Sequence, residues 1–294
     1  MSLRPTRAWH PYAMLAPTVI VLGLFFLLPL ALAFHQSFHA WDLLTPPRPV
    51  GLANYRALWA SGELVEIAAR TLGYGVLVVS FSLSFGLGLA LLLDREGRLY
   101  AFVRGAVFSA YVVSWVAVAL LWLWLLDPQS GLVARAARGV GLPGVDWLGD
   151  PDLVLFALAG VTVWKITGYA MVCFLAGLQD IPRSVLEAAA LDGATPWLRF
   201  RRIVWPLLRP TAAFVGTTSL ILSFQAFDVV RVMTQGGPVR ASTIFVYAIY
   251  EQVFVNLRVG RASALTVVFF VMLVGLTALQ LRVWQKRSNG RVET

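Results

Sequence analysis

Residues 187–196 read EAAALDGATP, a polar stretch that separates two long apolar runs of the chain. Ser184 stands three residues before the glutamate, which is the spacing of a capping box, so a helix is predicted to begin there. Gly193 can adopt the left-handed conformation that ends a helix. Thr195 can cap a second helix whose first residue is Pro196. The stretch therefore predicts two short helices joined by a sharp turn.

The composition of the chain is that of a membrane protein. Of its 294 residues 59% are hydrophobic and only 13% are charged, and the mean hydropathy is +0.74. Soluble domains carry about 25% charged residues, so the apolar surplus of this chain has to face membrane lipid. The net charge of +9 does not form a basic stripe interleaved with aromatic residues, so no nucleic-acid partner is expected. The single cysteine, Cys173, leaves no intrachain disulfide and is expected to pack among apolar neighbours.

Six runs with few or no charges are long enough to cross a bilayer, which takes about 20 residues. The predicted spans cover about 13–35, 69–94, 103–126, 153–179, 208–230 and 261–284. Arg4 and Arg7 precede the first run as in a signal peptide, but such peptides have an apolar core of only about 7–15 residues, so a retained span is expected. The predicted fold class is an all-α integral membrane protein, with one transmembrane domain over residues 1–294 and a polar loop at 180–206.

The basic residues between the spans predict the orientation, because Lys and Arg accumulate in short cytoplasmic flanks. The larger group comprises Arg4, Arg7, Arg95, Arg98, Arg104, Arg183, Arg199, Arg201, Arg202, Arg209, Arg282, Lys286, Arg287 and Arg291. The smaller group comprises Arg48, Arg56, Arg135, Arg138, Arg231, Arg240, Arg258 and Arg261. Both termini and the loop at 180–206 are therefore predicted to be cytoplasmic.

The polar stretch and the residues after it resemble the EAA loop of ABC-importer permeases. The resemblance is carried by residues 187–196 together with Phe200, Ile203, Pro206 and Pro210, with one departure at Trp205, where many members carry Leu. The segments Val50–Tyr55 and Thr234–Pro238 resemble external elements of the carbohydrate-type branch. The resemblance implies the type I, maltose-permease-like fold of six transmembrane helices and membership of the maltose and glycerol-3-phosphate permease branch.

The same resemblance implies a function and a set of partners. The chain would form half of the translocation path for a sugar or a glycerol-3-phosphate-like solute, in a bacterial or archaeal cytoplasmic (inner) membrane. Its partners would be a second, non-identical permease, two ABC ATPase subunits and an extracytoplasmic solute-binding protein. ATP and Mg would be bound by the ATPase, because the chain has no Walker A pattern. No cofactor, metal or catalytic residue is expected in this chain, which would not itself be an enzyme.

The residues implied to couple the chain to the ATPase lie in the EAA loop, which would supply a coupling helix that docks on a cytoplasmic ATPase. They are Glu187, Ala188, Ala189, Asp192, Gly193, Ala194 and Pro196. Considered one by one, Glu187 could be only a capping-box residue and Gly193 only a helix end. The whole string at this spacing favours the coupling hypothesis.

Five residues are candidates for the translocation path: Trp164, Lys165, Tyr169, Gln225 and Asp228. Ionisable groups inside a span are costly unless they face a cavity or a partner. Lys165 could line the path, pair with a carboxylate, or hydrogen-bond to the loop of a neighbouring helix. Asp228 could pair on its own helix with a basic residue three positions later, and Gln225 could contact the solute. Aromatic faces at Trp164 and Tyr169 would suit a neutral sugar as well as arginines would suit a phosphorylated solute.

Two other classes of membrane protein would share the apolar composition. An ion-coupled secondary transporter would use carboxylates inside its spans, and acidic residues are almost absent from the span interiors of this chain. A membrane scaffold would have no use for an ATPase-docking loop. The sequence therefore favours an importer permease.

Overall fold

The structure is a computed structural model that describes residues 10–289. Its helices are α1 (His10–Leu22), α2 (Leu28–Gln36), α3 (Ala53–Ala60), α4 (Glu63–Leu93), α5 (Arg98–Val112), α6 (Trp115–Leu125), α7 (Leu132–Gly139), α8 (Val154–Gln179), α9 (Arg183–Leu191), α10 (Pro196–Arg199), α11 (Trp205–Phe224), α12 (Phe227–Met233), α13 (Phe245–Tyr250) and α14 (Val259–Asn289). Wider π-helical segments occupy Gly23–Leu27, Phe200–Val204 and Glu251–Val255. Two short strands, β1 (His39–Ala40) and β2 (Arg48–Pro49), pair antiparallel with His39 opposite Pro49.

The helices confirm an all-α membrane fold. Within the described residues, five helical segments are long and apolar enough to cross a membrane: Met14–Gln36, Glu63–Leu93, Val154–Gln179, Pro196–Phe224 and Val259–Gln280. The pair α5 and α6 becomes a sixth span if the two helices are counted together.

Two of the predicted spans are not single helices. The span predicted at 103–126 is bent by 101° between α5 and α6, where Val113 and Ser114 adopt extended backbone conformations. The span predicted at 208–230 is interrupted between α11 and α12 at Gln225 and Ala226. Neither break contains Pro or Gly, so the sequence offers no local signal for it.

The chain divides into two compact units, Met1–Leu64 with Ile249–Leu273 and Val65–Ala248 with Val274–Thr294. Arg4, Arg7 and Arg291, on which the predicted sidedness partly rests, lie outside the described residues. The single domain predicted over residues 1–294 stays a prediction.

In the first unit, polar contacts join α3 to the segment around β1 and the start of α14 to the start of α4. The Asn54 side-chain amide donates to the carbonyls of Ser37 and His39 at 2.8 and 3.0 Å, and the Arg261 guanidinium pairs with the Glu63 carboxylate. A Cβ at Gly260 would collide with the His39 carbonyl. The close approach of these segments therefore requires glycine at this position.

In the second unit, α8 is the central helix and packs against α5 and α11. Its side chains Ala170, Met171 and Phe174 are fully buried in one apolar cluster. The Tyr74 hydroxyl of α4 and the Thr162 hydroxyl of α8 share a buried hydrogen bond of 2.6 Å. Because α8 is buried on most of its surface, its polar side chains have to find partners on the neighbouring helices.

Beyond α6, Asp127 organises the turn that leads into α7. Its carboxylate accepts hydrogen bonds from the backbone N–H and the hydroxyl of Ser130 and from the Gln129 N–H. These bonds, with the Ser130 N–H first, hold the pKa of Asp127 below its ordinary value. The C-terminal end of α6 is thereby fixed by local contacts.

Candidate functional site

The first helix of the polar stretch, α9, begins two residues earlier than the capping-box spacing predicts, because that spacing would make Ser184 the N-cap and Val185 the first helical residue. It begins at Arg183, with Pro182 at the N-cap position and no side-chain capping bond. Ser184 consequently lies inside the first turn, where its hydroxyl cannot cap the helix. The prediction of a capping box was wrong, and Glu187 is an exposed residue in the middle of α9.

The end of α9 confirms the predicted turn at Gly193. This residue has φ +74°, the left-handed conformation that glycine adopts without steric cost. The Ala194 N–H donates to the Ala189 carbonyl at 3.0 Å, and the Gly193 N–H donates to the Ala190 carbonyl at 3.1 Å. This pair of bonds is a Schellman motif, and it fixes the angle at which the chain leaves α9.

The second helix of the stretch begins as predicted but is not short. The Thr195 hydroxyl accepts from the Leu198 N–H at 3.3 Å, and Pro196 is the first helical residue. The helix then continues through the π-helical segment Phe200–Val204 into α11, so that Pro196–Phe224 forms one apolar helix. Pro206, which lacks an N–H donor, lies just after this wider segment and within the helix. This helix begins inside the predicted loop at 180–206, whose boundary at residue 206 stays a prediction.

The hairpin formed by α9 and α10 has a packed base and an exposed tip. At the base, Ile181, Val204 and Leu208 form a buried apolar cluster. Among the seven predicted coupling residues, Ala189 is buried and Ala194 is half-buried, while the other five are exposed: Glu187, Ala188, Asp192, Gly193 and Pro196. The hairpin is therefore anchored by an apolar base, and most of its predicted coupling residues are exposed at the tip.

Two apolar side chains of the hairpin tip were missed by the sequence analysis. Leu191 is 90% exposed and Trp197 is 68% exposed. Large apolar side chains this exposed within a polar loop are typical of interaction surfaces. Their presence in a loop rich in arginine was the signal that could have identified them.

Lys165 lies at the break between α5 and α6. Its ammonium donates to the carbonyls of Ala110 at 3.2 Å and Tyr111 at 3.0 Å, and also to the carbonyl of Val113. The ammonium is 4.8 Å from the ring centre of Trp115. Of the three roles predicted for Lys165, these contacts show hydrogen bonding to a neighbouring helix.

The two aromatic path candidates flank this lysine. Trp164 is half-exposed and meets Trp122 edge to face, with ring centres 5.7 Å apart. Tyr169 stacks on Tyr111 at 5.0 Å. The structure therefore brings Trp164, Lys165 and Tyr169 together against α5 and α6.

The two remaining candidates lie at the second helix break. Gln225 ends α11 and is exposed, and Asp228 lies in the first turn of α12 and is half-buried. Helix α12 packs against α6. The helices that follow the two breaks therefore contact each other.

These features define a helical membrane permease with an exposed loop between two of its spans. Residues 82–290 match the family model described as binding-protein-dependent transport system inner membrane component, and the chain belongs to this family. It is accordingly the permease subunit of a binding-protein-dependent ABC importer, a multi-pass inner-membrane transport protein and not an enzyme. The ion-coupled secondary transporter is not favoured.

Similar proteins confirm the predicted branch. The chain is 34% identical over 281 residues to the sn-glycerol-3-phosphate transport system permease protein UgpA of Agrobacterium fabrum, covering 95% of this chain and 96% of that protein. The protein of the same description from Pectobacterium atrosepticum is 32% identical over 297 residues, covering 98% and 99% of the two chains.

A solved structure confirms the type I permease fold. A chain of a bacterial ABC transporter involved in the import of the acidic polysaccharide alginate superposes with a TM-score of 0.81 at 24% identity, covering 95% of this chain and 96% of that one. The superposition covers nearly the whole length of both chains, so the likeness is one of the complete fold.

Proposed function

We propose that this chain forms half of the path for a glycerol-3-phosphate-like solute, with a sugar as the second candidate. The observation that carries the proposal is the 34% identity, over 95% of the chain, to a glycerol-3-phosphate permease. The other half of the path would be a second, non-identical permease. An extracytoplasmic solute-binding protein would deliver the solute, and two ABC ATPase subunits would bind ATP and Mg.

The α9–α10 hairpin is proposed to dock on one ATPase. Its turn is fixed by the Schellman motif, and its tip exposes Glu187 together with the apolar side chain of Leu191. The remaining exposed residues have short side chains, so that a partner can approach the backbone closely; they are Ala188, Asp192, Gly193 and Pro196. Ala189 and Ala194 would stabilise the turn through their backbone hydrogen bond. Movement of the ATPase would then reach α8 and α11 through the packed base of the hairpin.

The path itself is proposed to use residues near the two helix breaks. Trp164 and Tyr169 would offer aromatic faces, and Gln225 and Asp228 would offer polar groups. Lys165 would act through the backbone carbonyls that it binds rather than as a ligand of the solute.

The hairpin and both termini are proposed to face the cytoplasm. The Arg183 guanidinium lies 3.6 Å from the Glu96 carboxylate, which brings the loop between α4 and α5 beside α9. Two basic clusters predicted to share one side of the membrane are thereby adjacent, and this supports the orientation.

The proposal is tested by purifying the tagged chain from its native membrane in mild detergent and identifying the co-eluting proteins by mass spectrometry. A stoichiometric ATPase and a second permease are expected. Adding binding protein loaded with glycerol-3-phosphate should stimulate ATP hydrolysis by this complex, and stimulation by a neutral sugar instead would select the second candidate. Elution of the folded chain alone, even after crosslinking, would overturn the proposed assembly.

A further inference from the structure

The α5–α6 break leaves a group of backbone carbonyls inside a membrane-spanning segment. The last carbonyls of any helix have no partner within it, and lipid offers no water to replace the missing bonds. At this break the next helix departs at 101°. Ala110, Tyr111 and Val113 therefore present carbonyl oxygens that need donors from another part of the chain.

A single side chain supplies all three donors. An ammonium group carries three N–H bonds, and the Lys165 ammonium donates to each of the three carbonyls. Lys165 is only 2% exposed. Its positive charge also lies at the negative end of the α5 dipole and near the Trp115 ring, which adds a cation–π attraction.

The backbone of α8 is shaped to bring this lysine within reach. Gly168 lies one turn after Lys165, and a Cβ at this position would collide with the Val107 carbonyl and approach the Phe108 Cα to 2.8 Å. The absence of a side chain at Gly168 allows α5 to lie against α8. Lys165, on the same face, then reaches the end of α5.

We propose that the α5–α6 break is a cation site for one primary ammonium, occupied by the tethered ammonium of Lys165. Carbonyls at the ends of broken helices bind free ions in other transporters. Here the cation is covalently attached, so the site takes nothing from solution in the native protein.

Lys165 is accordingly a positioning residue. It fixes the start of α6, and α6 packs against α12, which carries the path candidate Asp228. The site rests on the contacts of Lys165 and goes beyond the proposed function. Only the measurement of ATP hydrolysis depends on that function.

The test is chemical rescue of Lys165→Ala in the purified complex. The substitution removes three methylene groups and the ammonium, which n-propylammonium replaces. Solute-stimulated ATP hydrolysis is expected to fall at least tenfold and to recover most of that loss with n-propylammonium. Tetramethylammonium, which has no N–H, and n-propanol, which has no charge, should not restore it. Failure of n-propylammonium, or equal rescue by all three, would overturn the proposal.

Arg104→Ala is the matched control. The Arg104 guanidinium also donates to backbone carbonyls, those of Leu93 at the end of α4 and of Arg95 in the following loop, at 2.9 and 3.0 Å. In this loop between α4 and α5, water can replace it. This variant is expected to keep most of its activity and to gain nothing from n-propylammonium. A loss and rescue matching those of Lys165→Ala would show that the effect is not specific to the α5–α6 break.

A second measurement does not depend on transport. A reporter cysteine replaces Ser114, which is exposed at the break, in a Cys173→Ser chain. Its rate of reaction with a maleimide is expected to rise several-fold in Lys165→Met and to stay unchanged in Lys165→Arg, which keeps the cation. An unchanged rate in Lys165→Met would overturn the proposed cation site, whether or not the proposed solute is correct. If Lys165→Ala does not assemble, Lys165→Met and Lys165→Arg test the proposed site in its place.

Discussion

The α9–α10 hairpin and the Lys165 site both end a helix, but they do so by opposite means. In the hairpin, the helix-end bonds join residues no more than five positions apart, such as Ala194 to Ala189. At the lysine, the donor and its acceptors are 52 to 55 positions apart. The hairpin is exposed at its tip, whereas the lysine is buried within the helices.

This difference separates a surface for partners from an internal support. In the hairpin the backbone groups of the turn hydrogen-bond to one another, so the side chains of Glu187 and Leu191 are not needed for the turn and are available to a partner. The three N–H groups of the Lys165 ammonium all donate to backbone carbonyls within the chain. A charged residue in a span is therefore not by itself a sign of solute contact.

The largest effect is expected where the hairpin meets its partner. Gly193→Asp should abolish uptake while the subunit remains in the membrane, because no atom of residues 10–289, apart from its two chain neighbours, lies within 4 Å of a Cβ at Gly193. Asp tolerates the left-handed conformation better than most residues, so the added carboxylate should collide only with the docked ATPase. Solute uptake and membrane content by immunoblot check this.

Gly141→Asp is the control for that substitution. Gly141 also has a positive φ, +80°, and open space around it, but it lies in the loop after α7. Its Asp variant should take up solute normally. Normal uptake by Gly193→Asp would contradict the coupling assignment, and equal loss in both variants would point to backbone strain.

A smaller effect is expected from the glycine that supports the lysine. Gly168→Ala should destabilise the chain by about 1–3 kcal/mol, the usual cost of overpacking, because its Cβ would meet the backbone of α5. Gly160→Ala is on the same helix, and beyond the adjacent turns of that helix no described residue lies within 4 Å of its Cβ; this variant should be neutral or slightly stabilising. Thermal unfolding of the two variants in detergent measures the difference, and similar unfolding temperatures would contradict the close approach.

The hairpin could be predicted from the sequence because its structure is local. Gly193 and Thr195 act on backbone groups only a few residues away, and both predictions were confirmed. The capping box failed because Pro182, two residues before Ser184, occupies the N-cap position of α9. Local patterns thus predict helix ends well and helix beginnings less well where two starting residues compete.

The α5–α6 break could not be predicted, because the donor that satisfies its carbonyls lies more than 50 residues away in the chain. Neither Val113 nor Ser114 is a helix-breaking residue. The bend lies where the Lys165 ammonium of α8 donates hydrogen bonds to the carbonyls that the break leaves without a partner in their own helix. The partner of a buried lysine depends on which helices pack together, which hydrophobic runs alone do not specify. The sequence analysis therefore found Lys165 but left its role open among three alternatives.

A third prediction measures how much one local bond of the hairpin contributes. Thr195→Ala removes the acceptor for the Leu198 N–H and should cost about 1 kcal/mol, whereas Thr195→Ser keeps the hydroxyl and should cost little. Hydrogen exchange of the amides in α10 should accelerate in the Ala variant only. Equal exchange in both variants would show that α10 is held by its continuation into α11 rather than by its cap.

The smallest effect is expected at the surface ion pair beside the hairpin. Arg183 and Glu96 lie 3.6 Å apart, but their side chains are 88% and 96% exposed, and such pairs contribute little because water screens them. Glu96→Gln should leave thermal unfolding and uptake unchanged. A clear loss of uptake with unchanged unfolding would mean that Glu96 or Arg183 contacts the ATPase, which would extend the docking surface from the hairpin to the loop between α4 and α5.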